Sequence, residues 1–206
     1  MALTRFRCRF GCAAAGTLAA LVMTAAPANA QLSDNQCAAV AMSQPFAPWW
    51  DFADYTLAPG GDMEAGGARW ALSGGAGIVN GNEPFYVGDR KDRASLRLPS
   101  ASSATSTAMC VGIEYPTLRF FATREAGSLN SSLLVEALFA DAEGRTEAVP
   151  IASVQSAGAW APTAPLPTVV NALALLEPIS VSFGFTPQDG SQWSIDDVYV
   201  DPYRTV

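Results

Sequence analysis

Short stretches in which apolar and polar residues alternate recur along the chain from residue 68 onward, and that period of two decides the fold class. "ARWALSGGAGIVNG" (68–81), "ASLRLP" (94–99), "TAMCVGIEY" (107–115) and "TLRFFAT" (117–123) have this pattern. So do "SLLVEALFAD" (132–141), "TEAVPIASV" (146–154), "ISVSFGFTP" (179–187) and the closing "WSIDDVYVD" (193–201). Successive side chains of an extended chain point to opposite faces, so each stretch offers one face to a core. Gly, Pro, Asn and Asp separate them, in "SGG" (73–75), "NGNEP" (80–84), "DAEG" (141–144) and "PQDG" (187–190). Short strands with turn punctuation describe an all-β, antiparallel sandwich or barrel. "SASSATST" (100–107) reads as a polar loop and "DRKDR" (89–93) as a solvated hairpin tip. "TVVNALALLEP" (168–178) fits a helical turn or a strand equally well.

The first thirty residues have a different character. Arg5, Arg7 and Arg9 precede the apolar run "AAAGTLAALVMTAA" (13–26), and Ala28 to Ala30 form a small-residue cleavage site. This is the layout of a secretory signal, and the run is short for a membrane span of about 20 residues. Residues 1–30 are therefore expected to be removed, with an uncleaved anchor as the alternative. Residues 31–54, containing "QPFAPWWDFAD", are expected to form an N-terminal arm packed on a single β-sandwich domain over 55–206. The product would be secreted, with no membrane span in the mature chain.

Charge and missing residue types exclude several functions. The net charge is −7, and it falls to −10 when the three arginines of the leader are lost; there is no histidine. An acidic surface disfavours nucleic acid and anionic lipid, which attract clusters of Lys and Arg. Without histidine there is no Ser-His-Asp or Cys-His centre and no His-ligated zinc. "SGGAG" lacks the Lys that follows a phosphate-cradling loop. Once the leader is removed Cys37 and Cys110 remain, and two cysteines in an exported chain are expected to form a disulfide.

Adjacent acids begin the last strand, in "SIDDVYV", and others stand near the start of the domain, in "PGGDMEAGGARW" (59–70). In strict alternation Asp196 shares a face with Val198 and Val200, which makes it the inward acid, and an unpartnered carboxylate there is costly. The glycine-rich turn, acid, hydrophobe, Glu and following Trp70 resemble the opening of secreted carbohydrate-binding modules of the galactose-binding-like jelly-roll superfamily. Those modules often start with Gly-Asp-Phe-Glu and close with a strand beginning Ile-Asp-Asp-Val; Met63 replaces the usual aromatic. The resemblance spans roughly residues 55 to 203. It implies a jelly-roll sandwich whose first and last strands meet, and a structural calcium held by Glu64, Asp196 and Asp197, with Asp62 beside them. Calcium takes six to eight oxygens, which carboxylates and turn carbonyls supply. Turn capping, or pairing with Arg69 or Arg204, is the alternative use of these acids.

Glycan binding needs aromatic rings on which sugar CH faces stack, together with polar groups for the hydroxyls. Trp49, Trp50, Tyr86 and Trp160 lie in segments read as loop or arm and are the candidates; covering the core is their alternative role. Trp70 and Trp193 begin alternating strands and are assigned to the core. Glu83, Glu114 and Glu136 are read as surface charges, although a glycosidase needs only two suitably spaced carboxylates. The functions considered are a noncatalytic glycan-binding module with calcium, an envelope structural or protein-interaction domain without sugar binding, and, more weakly, a small carbohydrate-active enzyme.

Overall fold

The two most buried strands carry apolar side chains on both faces. In Thr117–Ala126 (β7), Leu118, Phe120 and Ala122 face the core, whereas Phe121 packs on the opposite side of the sheet. In Gln192–Asp201 (β13), Trp193, Ile195, Val198 and Val200 enter the core and Tyr199 joins Phe121. β-Branched and aromatic residues fit a pleated, buried surface, and each large side chain so buried contributes about 1.5–3 kcal/mol. The computed structural model describes residues 41–111, 116–141, 143–156, 158–168 and 179–201. The signal segment, Cys37, Glu114, Arg204 and residues 169–178 lie outside the described residues.

The remaining strands are Thr56–Leu57 (β1), Trp70–Ser73 (β2), Gly77–Asn80 (β3), Ala94–Leu98 (β4), Ser103–Ser106 (β5) and Met109–Val111 (β6). Leu133–Ala140 (β8), Thr146–Val154 (β9), Ala161–Pro162 (β10), Leu166–Pro167 (β11) and Ile179–Pro187 (β12) follow. Among the described residues they form two antiparallel sheets. One runs β10-β7-β13-β4-β3, with β1 on β13 and β11 on β7; the other runs β2-β5-β12-β8-β9, with β6 on β12. The core lies between them, with Trp70 and Phe120 both against Phe185 at ring separations of 5.7 and 5.2 Å. This is the expected jelly-roll sandwich, and Trp70 and Trp193 are buried as assigned.

Two local expectations change. Residues 68–81 are not one strand: the Gly74–Gly75 turn splits them into β2 and β3, which belong to different sheets. The polar stretch 100–107 contains a strand, β5, whose Ala104 and Ser106 face inward while Ser103 and Thr105 face out. Small hydroxyl side chains hid its two-residue period.

The ends of the domain meet. Thr56 and Leu57 pair with Val200 and Tyr199; the Gly61 carbonyl accepts from the Val198 N–H at 3.0 Å, and the Val198 carbonyl accepts from the Ala58 N–H at 2.8 Å. A Cβ on Gly61 would stand 2.5 Å from the Val198 carbonyl oxygen, so only glycine permits this approach. The segment from 41 lies over the outer face of β7 and β13. Phe46 is fully buried there among Tyr55, Phe121 and Tyr199. Arg119 of β7 fastens it, donating to Asp51 Oδ2 at 2.6 Å and standing 4.4 Å from the Phe46 ring centre. Tyr55 donates to the same oxygen at 2.8 Å. Burial alone would raise the Asp51 pKa, but the bonds from Tyr55 and Ala53 and the Arg119 charge outweigh it and hold the carboxyl low. The same burial, and then the Asp51 bond, push the Tyr55 phenol up to about 12.

Candidate functional site

A β-bulge in β13 creates the main polar site. Asp196 stands opposite Phe121 and Tyr199 opposite Arg119, so three steps on β13 match two on β7. The extra residue is Asp197, with a left-handed φ of 49°. Asp tolerates that conformation better than most residues, and bulges re-aim side chains in this way. The consequence corrects the expected alternation. Val198 is moved into the core, whereas Asp196 stays on the outer side with Tyr199 rather than sharing the face of Val198. Asp196 and Asp197 are nevertheless both buried, at 0% and 1% exposure, because the 81–93 segment covers them.

Glu83 does much of the covering. It was read as a surface charge, but it is completely buried. Its backbone N–H donates to Asp196 Oδ2 at 3.1 Å. Its carboxylate accepts from the N–H groups of Phe85 and, at 3.0 Å, Val87. Asp196 Oδ1 accepts from the Asp197 N–H at 2.9 Å. Asp197 is different: both its carboxylate oxygens are buried and neither accepts from an N–H group, the polar neighbour within reach being the carboxyl of Glu83, another acid.

The neighbouring charges are of the wrong sign to help. Burial first, then the Asp197 charge, raise Asp196 to about 9, even though the two backbone N–H groups oppose the shift. Asp197 rises to about 8, through burial and then Glu83, Asp92 and Asp62. Asp92 is raised as well, by burial and by Glu64, Asp89 and Asp62. Among the described residues no Lys or Arg pairs with any acid of this group; Arg69 does not serve as the counter-ion.

The acids named from the sequence are distributed unequally. The 59–69 stretch is a succession of turns, not an extended strand, so Asp62 and Glu64 do not share a strand face. Glu64 is exposed and caps the next hairpin, accepting from the N–H groups of Arg93 at 2.6 Å and Ala94 at 2.8 Å. Asp62 Oδ1 accepts from the Glu64 N–H at 3.3 Å. Met63 is buried in the core. Asp92, in the 89–93 stretch expected to be a solvated hairpin tip, approaches Asp197: a Cβ on Gly88 would be 2.8 Å from Asp92 Oδ2 and 3.1 Å from Asp197 Oδ1. Among the described residues no three Asp, Glu, His or Cys side chains form a ready metal-binding group. The orphaned Asp197 carboxylate and the Asp92 oxygen drawn close to it past Gly88 nevertheless match a hard cation in donor type. Asp92, Asp197 and neighbouring carbonyl oxygens would be its ligands.

The aromatic candidates lie along the arm and the same 81–93 segment. Trp49 is half-buried, 4.9 Å from Phe85 and 5.3 Å from Phe121, both edge-on. Trp50, at φ 61°, is turned out to 87% exposure beside the exposed Phe52, at 6.4 Å. Phe85 and Tyr86 are both exposed, and Val87 anchors their loop on the Phe46–Phe121 cluster. Trp160 is half-buried against that cluster and serves mainly to pack it. Sequence reading missed Phe52 and Phe85; their positions beside Trp50 and Tyr86 were the available signal. The outer face of the other sheet offers no such rings. Among the described residues Ser103, Thr105, Ser182, Gly184 and Thr186 present small groups there, with Leu134, Leu138 and the charge of Glu136 among them.

Cys110 on β6 is disulfide-bonded. Among the described residues no helix is long and apolar enough to cross a membrane.

No protein-family model matches the chain, and no curated protein does. Solved structures do. The tandem CBM22-1–CBM22-2 domain of Xyn10C from Paenibacillus barcinonensis aligns over 75% of this chain and 47% of its own, with a TM-score of 0.52 and 13% identity. The CBM22-1 xylan-binding domain of that protein aligns over 70% and 93%, with a TM-score of 0.49 and 13% identity. TmCBM61, solved with β-1,4-galactotriose, aligns over 71% and 96%, at 0.40 and 15%. The two antiparallel sheets, the meeting of first and last strands and the match to the tandem domain agree on the fold: the chain is an antiparallel jelly-roll β-sandwich.

Proposed function

We propose that this is an exported, noncatalytic glycan-binding module whose binding edge is built from Trp50, Phe52, Phe85 and Tyr86, with Trp49 beneath. The observation that carries the reading is the concentration of exposed rings at one edge, on a base fixed by Phe46, Phe121 and the Arg119–Asp51 pair. Rings held rigidly lose little entropy when a sugar stacks on them, and the acidic and amide groups nearby suit its hydroxyls. Fold likeness alone would be a weaker argument, because one fold hosts many functions. Glu83 enters this reading as a structural acid, since its carboxylate is committed to the backbone of its own loop.

A calcium ion at Asp197 and Asp92 belongs to the same proposal, with Asp62, Glu64 and Asp196 contributing charge around it. When bound, it would neutralise the buried acids. A Cys37–Cys110 bridge would tie the start of the mature chain to β6.

The outer face of the six-stranded sheet, where Leu134 and Leu138 stand among small hydroxyl side chains, favours one second reading. In it the module docks on another envelope protein, and the exposed Trp50 and Phe52 are a protein contact. A glycan array with the mature chain separates the two. Expected are binding to at least one glycan and its loss in Trp50→Ala, with stability changed by less than about 0.5 kcal/mol, as for an exposed side chain. Absence of any glycan binding would refute the first reading.

A further inference from the structure

Phe85 and Tyr86 owe their position to carboxylates as much as to packing. Glu83 is the joint: its N–H reaches Asp196, and its carboxylate gathers the N–H groups of Phe85 and Val87. Five residues on, the backbone of Gly88 passes the Asp197 carboxylate. There a side chain would collide with Asp92 Oδ2 and press on Asp197 Oδ1, so the glycine lets the backbone pass close to both acid oxygens at once. Asp92 in turn fixes the following turn, accepting from the Asp89 N–H at 2.7 Å. Glu64 holds the far end of the segment through Arg93 and Ala94. The 81–93 loop is thus suspended from acids along its length. One of those acids, Asp197, is buried with no N–H donor and faces the Glu83 carboxyl instead.

Like charges in one buried place repel, and without a cation or a shared proton the repulsion acts on the loop that covers them. We infer that a divalent cation bound between Asp92 and Asp197 at Gly88 orders the 81–93 loop and so assembles the Phe85–Tyr86 part of the glycan edge, making cation and glycan binding thermodynamically linked. The inference rests on the cation proposed above and adds its consequence for the binding edge. Linkage is reciprocal: if the cation strengthens glycan binding, the glycan strengthens cation binding by the same factor.

The test uses the mature chain, with Ca2+ and Tb3+ as the probes and no glycan required. Tb3+ luminescence sensitised by Tyr199 and the nearby tryptophans should report occupancy, and Ca2+ should displace it. With Ca2+, the Phe85 and Val87 amides should exchange hydrogen about tenfold more slowly or better than in EDTA, as for a loop whose local opening is suppressed. Gly88→Ala keeps every carboxylate but puts a methyl against both acid oxygens. Its φ is not left-handed, so it should fold, while its Ca2+ affinity and the protection of the two amides both fall by about tenfold or more. Asp197→Asn should lose the Ca2+-dependent protection as well. Ca2+ binding with unchanged exchange at both amides would refute the linkage and leave the ion site. Failure of Tb3+ and Ca2+ to bind would refute both. A negative glycan array with Ca2+-protected amides would leave the cation-ordered loop and refute its linkage to glycan binding.

Discussion

A chain with no histidine has an unusually clear pH window, and the buried acids should show themselves in it. Between pH 5 and 7 ordinary carboxylates are already ionised, and no imidazole titrates. Asp196, raised to about 9, and Asp197, raised to about 8, are the groups that keep a proton in the native state across this range. Their folded pKa lies above the unfolded one. Their contribution to stability is therefore complete below the unfolded value, near 4, and is lost as pH rises toward the folded values. If the pair retains one proton that the unfolded chain has released, stability falls by about 1.4 kcal/mol per pH unit, or about 3 kcal/mol from pH 5 to 7. For a domain of this size that is roughly 6–12 °C in Tm. The acids with lowered pKa, Asp51, Glu125 and Asp141, act in the opposite direction, but below about pH 5 and outside the window.

The assay is thermal melting of the mature chain at half-unit steps of pH, in EDTA and again in saturating Ca2+. In EDTA the Tm should fall steadily from pH 5 to 7. In Ca2+ the slope should flatten or reverse, because the cation takes the place of the proton and binds better as the acids ionise. A Tm in EDTA that is constant to within about 2 °C would refute the reasoning, since it would mean that neither Asp196 nor Asp197 holds a proton that the unfolded chain gives up.

Two other charged positions give simpler expectations. Arg119→Ala should cost about 3 kcal/mol or more by denaturant melting, because it strands a half-buried Asp51 and frees the arm. Arg119→Lys should restore little, since the guanidinium also donates through Nε to the Thr163 carbonyl at 2.7 Å. Arg124 presents the reverse case. It faces inward beside Trp193 with Nη1 buried and without a partner, so Arg124→Met should raise stability by about 1–3 kcal/mol; a loss of that size would show an unseen partner.

Much of the sandwich was legible because its strands carry their period openly. Trp70, Trp193, Phe183 and Phe185 recur at alternate positions and end in the core. The meeting of the domain ends was legible only through the two acid-bearing motifs. What alternation hid has definite physical causes. Ser103 to Ser106 form a strand without large side chains, so their period had no contrast. β7 and β13 are buried on both faces because the arm covers the outer one, and a two-residue pattern does not announce a second apolar face. Glu83 looked like a surface charge because its partners are backbone N–H groups, which leave no trace in sequence. The approach of Asp92 to Asp197 depends on Gly88 and on the bulge, and neither has a signature that sequence alone makes specific.

The bulge is where these strands of reasoning join, and deleting it is the sharpest test of them. With Asp197 absent, Ile195 would face in, Asp196 out, Val198 in and Tyr199 out, which is the arrangement each of those residues already has. The shortened strand needs no left-handed residue and should keep its pairing with β1 and β7. The deletion should therefore fold, and in EDTA at pH 7 it should melt no lower than the parent, since a strained residue and an orphaned carboxylate leave together. In Ca2+ it should gain nothing, and its aromatic edge should behave as that of the metal-free parent. A deletion that unfolds would show that Asp197 is needed to build the strand. One that folds and still gains Tm with Ca2+ would place the ion elsewhere. Only the expected pair of results identifies the extra residue of β13 as a device for holding a cation beneath the binding edge.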